Sequence, residues 1–312
     1  MIEQKKEFEK LAEKLSRIIS GRVEQRVLMK RFTTFKIGGL CELMVFPKDR
    51  FELAVVVESC EKAGLPWRVL GKGSNVLVKD GGLEEVVINL QEGFNWIEAQ
   101  DTTVRVGAGV KLNQLVKFCQ EMGLAGLEFC AGIPGTVGGA IRMNAGAEGS
   151  EISERIVRVE FYRYPEGRYL KPKKELNFTY RSLELKAGEI IIGAEFELEN
   201  DSPKAIRERI VQYLKKRRRT QPVAFASAGS IFKNPKGDYA GRIIEELGLK
   251  GLRIGDAQIS DLHANFIINR GRAKAKEVME LINIIREKAK KEKGIELELE
   301  IEILGENNDT RI

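Results

Sequence analysis

The chain has 312 residues, 43% of them hydrophobic, enough to bury a sizeable core spread over two or three domains. Four scattered cysteines without a CxxC pair fit reduced thiols better than a disulfide framework, and one histidine, His263, argues against a zinc centre or a Ser-His-Asp hydrolase, so no metal is expected. A net charge of +6 draws anions to the surface without choosing among nucleotides, nucleic acid and acidic lipid.

The leading segment "MIEQKKEFEKLAEKLSRIIS" is charged throughout, and nowhere does an apolar run reach the length of a membrane span. A cytoplasmic location with no membrane partner is therefore expected. Its apolar positions Ile2, Phe8, Leu11, Leu15 and Ile18 fall at helical spacing and predict an amphipathic helix. "DRFELAVVVESCEKAG" predicts a second helix ending at Gly64, and "PWRVLG" a strand entering the loop "GKGSN" (71–75). Short strands are expected at 76–78, 86–89, 96–99 and 104–106. A helix over 111–123 follows, with Leu112, Leu115, Val116, Cys119 and Met122 on one face. Strands over 155–164 and 190–198 precede a turn at "ENDSPK" (199–204), where a domain boundary is placed. Beyond it lie the basic helix "KAIRERIVQYLKKRRRT", a short helix "AGRIIEELG", a strand "ANFIIN", a helix over 274–293 and a closing strand "GIELELEIEIL". The strands and helices do not alternate regularly, which makes the class α+β.

Two glycine-rich segments carry the chemistry. In 71–78, "GKGSNVLV", Val76 stands where a dinucleotide fingerprint needs its third glycine, and a Walker A loop fails because Gly73 follows Lys72. A strand, a glycine turn and another strand remain, whose N–H groups can cradle an anion or simply close a hairpin. The second segment, "AGIPGTVGGAIRMNAGA" (131–147), holds Gly132, Gly135, Gly138 and Gly139 around Pro134 and Thr136. Glycine that dense costs backbone entropy, so close approach to a ligand explains it better than a plain loop, and "TVGGAIRMN" can open a short helix toward that ligand.

The motifs "TTFKIGG" (33–39), "GKGSN", "AGIPGTVGGAIRMNAGA", "YR" (180–181), "SAGSIFKNP" (227–235) and "HANFIIN" (263–269) occur in an order that resembles the UDP-N-acetylenolpyruvoylglucosamine reductase family over roughly residues 25–305. The resemblance implies a vanillyl-alcohol-oxidase-type FAD-binding fold of two α/β lobes plus an α+β substrate-binding domain. Residues 1–203 would form the FAD-binding domain, with lobes at about 22–92 and 93–203, and 204–312 the substrate-binding domain. The last strand, 295–305, could return to the first domain.

The implied activity is reduction of the enolpyruvyl ether of UDP-N-acetylglucosamine to UDP-N-acetylmuramate in peptidoglycan synthesis. NADPH would reduce non-covalent FAD, flavin N5 would deliver hydride to C3, and Ser230 would protonate C2. Arg181 would hold the negative charge that develops beside the substrate carboxylate, with Glu300 as the acidic partner; Glu298 is the alternative carboxylate. Gly71, Lys72, Gly73, Ser74 and Asn75 would grip the FAD pyrophosphate. Gly132, Ile133, Pro134, Gly135, Thr136, Gly138, Gly139, Ala145 and Gly146 would line the rest of the cofactor. Arg218, Lys233, Asn234 and Tyr239 fall where the family contacts its UDP-sugar substrate, and His263 is read as structural or as a polar neighbour of the flavin.

The chain resembles the shorter class of the family, since the stretch from Arg181 to the helix at 204 has no room for an added tyrosine-bearing loop. Leu183 stands where many relatives have serine, and Glu302 where a basic residue is common. Two other readings compete: a different flavin oxidoreductase using oxygen, and a nucleic-acid-binding protein using the "KKRRR" run. The latter run has few interleaved aromatics and reads more readily as a solvated helix face, so no nucleic-acid partner is expected.

Overall fold

In the computed structural model, which describes residues 2–305, the leading segment folds as α1 (Ile2–Ile18). Phe8, Leu11 and Leu15 are buried as their spacing demands, but Ile18 is 52% exposed. The helix stops there, and the chain turns so that Ile19 enters the core in its place. The side chain of Ile2 lies outside the described residues.

Helix α2 (Arg50–Ala63) starts where the Asp49 carboxylate accepts from the N–H groups of Phe51 and Glu52, at 2.8 and 2.9 Å, and ends at Gly64. Helix α3 (Leu112–Met122) buries Leu112, Leu115, Val116 and Cys119. Met122 ends it 55% exposed, because the last turn runs past the core it packs on. The second glycine segment supplies α4 (Val137–Arg142), and the basic stretch forms α5 (Pro203–Thr220).

The chain makes two compact units that interleave in sequence, instead of the single cut expected near residue 203. The first contains residues 2–26, 42–72 and 85–215, and the second 27–41, 73–84 and 216–305. The cause is a long-range strand pair: Val76–Val78 lies parallel to Glu302–Leu304, and this draws residues 73–84 into the second unit.

The first unit holds most of a four-stranded sheet in the order Arg22–Leu28, Leu40–Phe46, Leu83–Ile88, Trp67–Val69. It also holds a five-stranded antiparallel sheet ordered Gly167–Pro172, Ile156–Arg163, Ile190–Glu197, Thr103–Gly107, Ile97–Gln100. One continuous core joins α1, α2, α3 and α4 to these sheets, from Leu15 and Val56 to Phe161 and Phe196. On the other face of the five-stranded sheet, Glu195 pairs with Arg105 and Arg158, and Glu160 with Arg168.

The second unit packs α6 (Ala240–Glu246) and α7 (Ala275–Lys293) against a small antiparallel sheet of Arg253–Ile254, Ala257–Ile259 and Ile267–Asn269. Val278, Leu281, Ile282, Ile285 and Ala289 form the buried stripe of α7. The closing strand is shorter than its alternation suggests, since only Glu302–Leu304 is regular and Leu299 makes a single bridge to Phe232. Among the described residues, no helix is long and apolar enough to cross a membrane.

The first N–H groups of α7 find their acceptor far away in sequence: the Asp80 carboxylate takes Ala275 N at 3.0 Å and Lys276 N at 3.1 Å. Asp80→Ala should therefore lower stability by about 1–2 kcal/mol, the usual worth of a helix N-cap, and Asp80→Asn by less. Urea unfolding followed by circular dichroism measures the difference; equal midpoints for parent and alanine variant would contradict this role.

Candidate active site

In the first unit the two glycine segments meet. A Cβ on Gly71 would lie 2.4 Å from Thr136 Oγ1, so only glycine lets the loop rest against the start of α4. Thr136 is 2% exposed and also caps α4, its hydroxyl accepting from Gly139 N at 3.4 Å. The loop is fixed from below by Asn89, which is fully buried and donates to the carbonyls of Leu70 and Gly71 at 2.9 and 3.0 Å. Lys72, Gly132, Pro134 and Gly139 are exposed, while Ile133 packs on the core. A Cβ on Gly139 would meet only Thr136 Oγ1, at 3.5 Å, so the start of α4 presents bare backbone. Gly138 is different: its missing side chain makes room for Ala108, whose Cβ would be 2.9 Å away.

Arg181 occupies the tip of a hairpin in the same unit. Phe178–Thr179 pairs with Ser182–Leu183, and Tyr180 and Arg181 form the turn, with Arg181 at φ 60°. The guanidinium stacks over the Tyr180 ring at 5.0 Å. It also lies against Gly146, where a Cβ would be 2.9 Å from Arg181 Nη1. Ala145 precedes it with its N–H bonded to Ala140 O at 2.8 Å. Leu183 is fully buried in the core.

The second unit holds Gly73, Ser74 and Asn75 together with Ser230 and Glu300. Gly73 packs on the "TTFKIGG" segment, its carbonyl accepting from Thr34 N at 3.0 Å. Ser74 is half-buried. Asn75 Nδ2 donates to Glu300 O at 2.9 Å, and Asn75 O accepts from Glu302 N at 2.9 Å, so the first loop anchors the segment that carries Glu300. Ser230, half-buried, forms an antiparallel bridge to Phe266, and the next carbonyl, Ile231 O, accepts from Glu300 N at 2.8 Å. Ser230 and Glu300 thus sit on adjoining extended segments.

Three glutamates of the closing segment stand in different surroundings. Glu296 bonds Lys290 at 2.7 Å, the 77% exposed Glu298 approaches Lys233 at 3.4 Å, and Glu300 is half-buried. Asn234 serves α6, its side chain accepting from Ala240 N at 3.1 Å, and Tyr239 beside it is 68% exposed. Arg218 is exposed near the end of α5, one residue beyond Arg217, whose Nη1 donates to Gln221 at 2.9 Å.

Asn265 is the residue that sequence reasoning missed here. Buried at 3% exposure, it donates to Phe232 O at 2.8 Å and accepts from Phe232 N at 2.9 Å, pinning the extended segment that carries Ser230. A polar residue inside the apolar run "HANFIIN" was its only signal. His263 supports it: Nδ1 accepts from Asn265 N at 3.3 Å, and burial pushes the imidazole below its ordinary pKa, toward the neutral form that can accept.

Other reactive groups are excluded by their surroundings. All four cysteines are buried, and burial pushes the thiols of Cys60 and Cys119 up to about 12, which leaves them without nucleophilic thiolate. A groove of about 500 Å³ on the outer face of the five-stranded sheet contains none of the expected site residues. Burial pushes its Glu195 carboxyl up, but hydrogen bonds from Arg158 and Arg105 outweigh that and hold it below the usual carboxylate range, so these charges satisfy one another.

The family model described as UDP-N-acetylenolpyruvoylglucosamine reductase, C-terminal domain, matches residues 221–304, and one described as FAD binding domain matches residues 41–171. The UDP-N-acetylenolpyruvoylglucosamine reductase of Moorella thermoacetica is 44% identical over 278 residues, covering 89% of this chain and 92% of that protein. The protein of the same name from Anoxybacillus flavithermus is 44% identical over 301 residues, covering 96% and 99%. The crystal structure of UDP-N-acetylenolpyruvylglucosamine reductase from Thermus caldophilus superposes with a TM-score of 0.81 at 40% identity, covering 91% of this chain and all of that one. Glycine backbone bare of side chains at 71 and 139 fits the phosphate-bearing cofactor that such a domain binds. The chain therefore belongs to the UDP-N-acetylenolpyruvoylglucosamine reductase family, as an FAD-binding oxidoreductase with the mixed α+β fold of the Thermus caldophilus enzyme.

Proposed function

We propose that this chain reduces UDP-N-acetylglucosamine enolpyruvate to UDP-N-acetylmuramate with NADPH, a cytoplasmic step of peptidoglycan synthesis. The observation that carries the residue-level reading is the pairing of the Ser230 and Glu300 segments through Ile231 O and Glu300 N at 2.8 Å. FAD would be held by the backbone of Gly71–Asn75 and of Gly132–Thr136, Gly138, Gly139, Ala145 and Gly146, with Lys72 free to approach a phosphate. When bound, it supplies the hydride chemistry.

The chain's own residues supply position, charge and a proton. Ser230 Oγ gives its proton to substrate C2, and the half-buried Glu300 is the acidic group alongside, which the geometry favours over the exposed Glu298. Reduction beside a carboxylate builds negative charge, and the planar guanidinium of Arg181 can take such charge through two parallel hydrogen bonds. Lys233, Asn234, Tyr239 and Arg218 are assigned to the UDP-sugar. Of these, Asn234 contributes by fixing the start of α6, and Tyr239 and Arg218 offer exposed side chains.

Ser230→Ala tests the proton assignment. NADPH should bleach the flavin at close to the parent rate, whereas reoxidation by the enolpyruvyl substrate should fall by at least ~10²-fold, as for a lost general acid. Stopped-flow absorbance separates the two, and normal reoxidation would assign the proton elsewhere. Changing Arg217, Arg218 and Arg219 to Ala should raise the KM for the UDP-sugar with flavin content unaltered; an unaltered KM would return this helix end to solvent. Finally, the four cysteines are buried and neither glycine segment contains a histidine, so the flavin is expected to bind without a covalent link. Acid precipitation should release all yellow colour to the supernatant, and colour in the pellet would disprove non-covalent binding.

A further inference from the structure

We infer that Asn144 and Gly146 are positioning residues that aim the Arg181 guanidinium, an inference that rests on the role proposed above for Arg181. The hairpin carrying Arg181 is short, with the pairs Thr179–Ser182 and Phe178–Leu183 closing a two-residue turn. Its second turn residue is a non-glycine at φ 60°, a left-handed conformation that a Cβ disfavours. Something outside the turn must hold it.

Asn144 does so. It is 1% exposed, itself left-handed at φ 41°, and donates through Nδ2 to Thr179 O at 3.1 Å and to Glu151 Oε2 at 2.7 Å. Its Oδ1 accepts from Ser153 N at 3.3 Å. Both amide hydrogens and the oxygen are thus committed to protein atoms, which suits a residue that grips backbone and not one that touches a ligand. Arg142, at the end of α4, donates to Leu183 O and holds the other arm of the hairpin.

Gly146 completes the seat. Besides its approach to Arg181 Nη1, a Cβ there would lie 2.8 Å from Ser150 O and 3.1 Å from Glu151 Cγ. Gly146 pairs with Glu151 in a two-stranded ladder, so the same glycine lies against both the guanidinium and the Glu151 side chain that Asn144 holds. A charge-holding group gains its effect from orientation, and a displacement of about 1 Å at such a group can cost ~10²-fold in rate.

The discriminating variant is Asn144→Asp, which keeps size, tolerance of the left-handed region and the acceptor for Ser153 N. It cannot donate to Thr179 O, and it sets a second carboxylate against Glu151. In the flavin-loaded enzyme, flavin content and the rate of reduction by NADPH should stay within about twofold of the parent, while reoxidation by substrate should slow about tenfold or more, with kcat falling and KM little changed. In an Arg181→Ala background the same substitution should add less than about twofold, because its effect passes through Arg181. Apart from turnover, amide hydrogen exchange of the 178–183 peptide should accelerate in Asn144→Asp. If that variant does not fold, Arg142→Met, at an exposed position, removes the grip on Leu183 O and should show the same dependence on Arg181, to a smaller extent.

A tenfold loss that persists undiminished without Arg181, or unchanged reoxidation and exchange in Asn144→Asp, would overturn the positioning role. Normal reoxidation in Arg181→Ala alone would instead overturn the role proposed for Arg181, and faster exchange of the hairpin would still support the clamp.

Discussion

The first unit's candidate site depends on one absent atom, the Cβ of Gly71. Any side chain there would collide with Thr136 Oγ1, and the collision could not be relieved cheaply. Thr136 is buried and already commits its hydroxyl to the start of α4, while Asn89 holds the Gly71 carbonyl from the opposite side. The loop is therefore gripped between a buried amide and a helix cap, and two stretches of exposed backbone come to lie side by side. The strand Trp67–Val69 and α4 contribute mainly by delivering these two stretches to that contact.

Asparagine amides do elsewhere what sheet hydrogen bonds do in a regular fold. Asn265 binds both polar groups of Phe232, Asn269 donates to Phe35 O at 3.0 Å, and Asn75 donates to Glu300 O. Each such bond contributes only ~0.5–1.5 kcal/mol net, yet a buried carbonyl left without one costs ~1–3 kcal/mol, so these residues decide the path of the loops more than the stability of the whole. The residues assigned to chemistry lie mostly on these irregular segments, and that is why the amides cluster there.

Much of this was legible in the sequence wherever the signal is local. Helix α2 was legible to its end at Gly64, a helix was expected over 274–293 where α7 runs, and the density of glycine at 132–139 pointed to backbone suited to close approach. Helix ends misled, as Ile18 and Met122 show, because periodicity continues in sequence after the core beneath has stopped. The partners of Asn75, Asn144 and Asn265 were not readable, since an asparagine's acceptor lies wherever the fold brings it. The division of the chain was hidden for the same reason: nothing near Val76 signals a partner more than two hundred residues away. Ser230 gained a chemical assignment only from the motif around it, because a lone serine in a loop is ordinarily a local hydrogen-bonding residue.

The parallel pairing of Val76–Val78 with Glu302–Leu304 bears on how the protein is made. Every segment of the first unit has been synthesised once residue 215 has left the ribosome, so that core can close while translation continues. Residues 27–41 and 73–84 emerge early, but they belong with partners that are translated last. Until then Leu77 and Phe35, which are fully buried in the finished protein, are apolar groups without their core, and the long loop that must close to bury them makes the second unit the slower one to assemble. The nascent chain thus carries two hydrophobic stretches through most of its synthesis in need of shelter, and the final few residues of the second unit release that need.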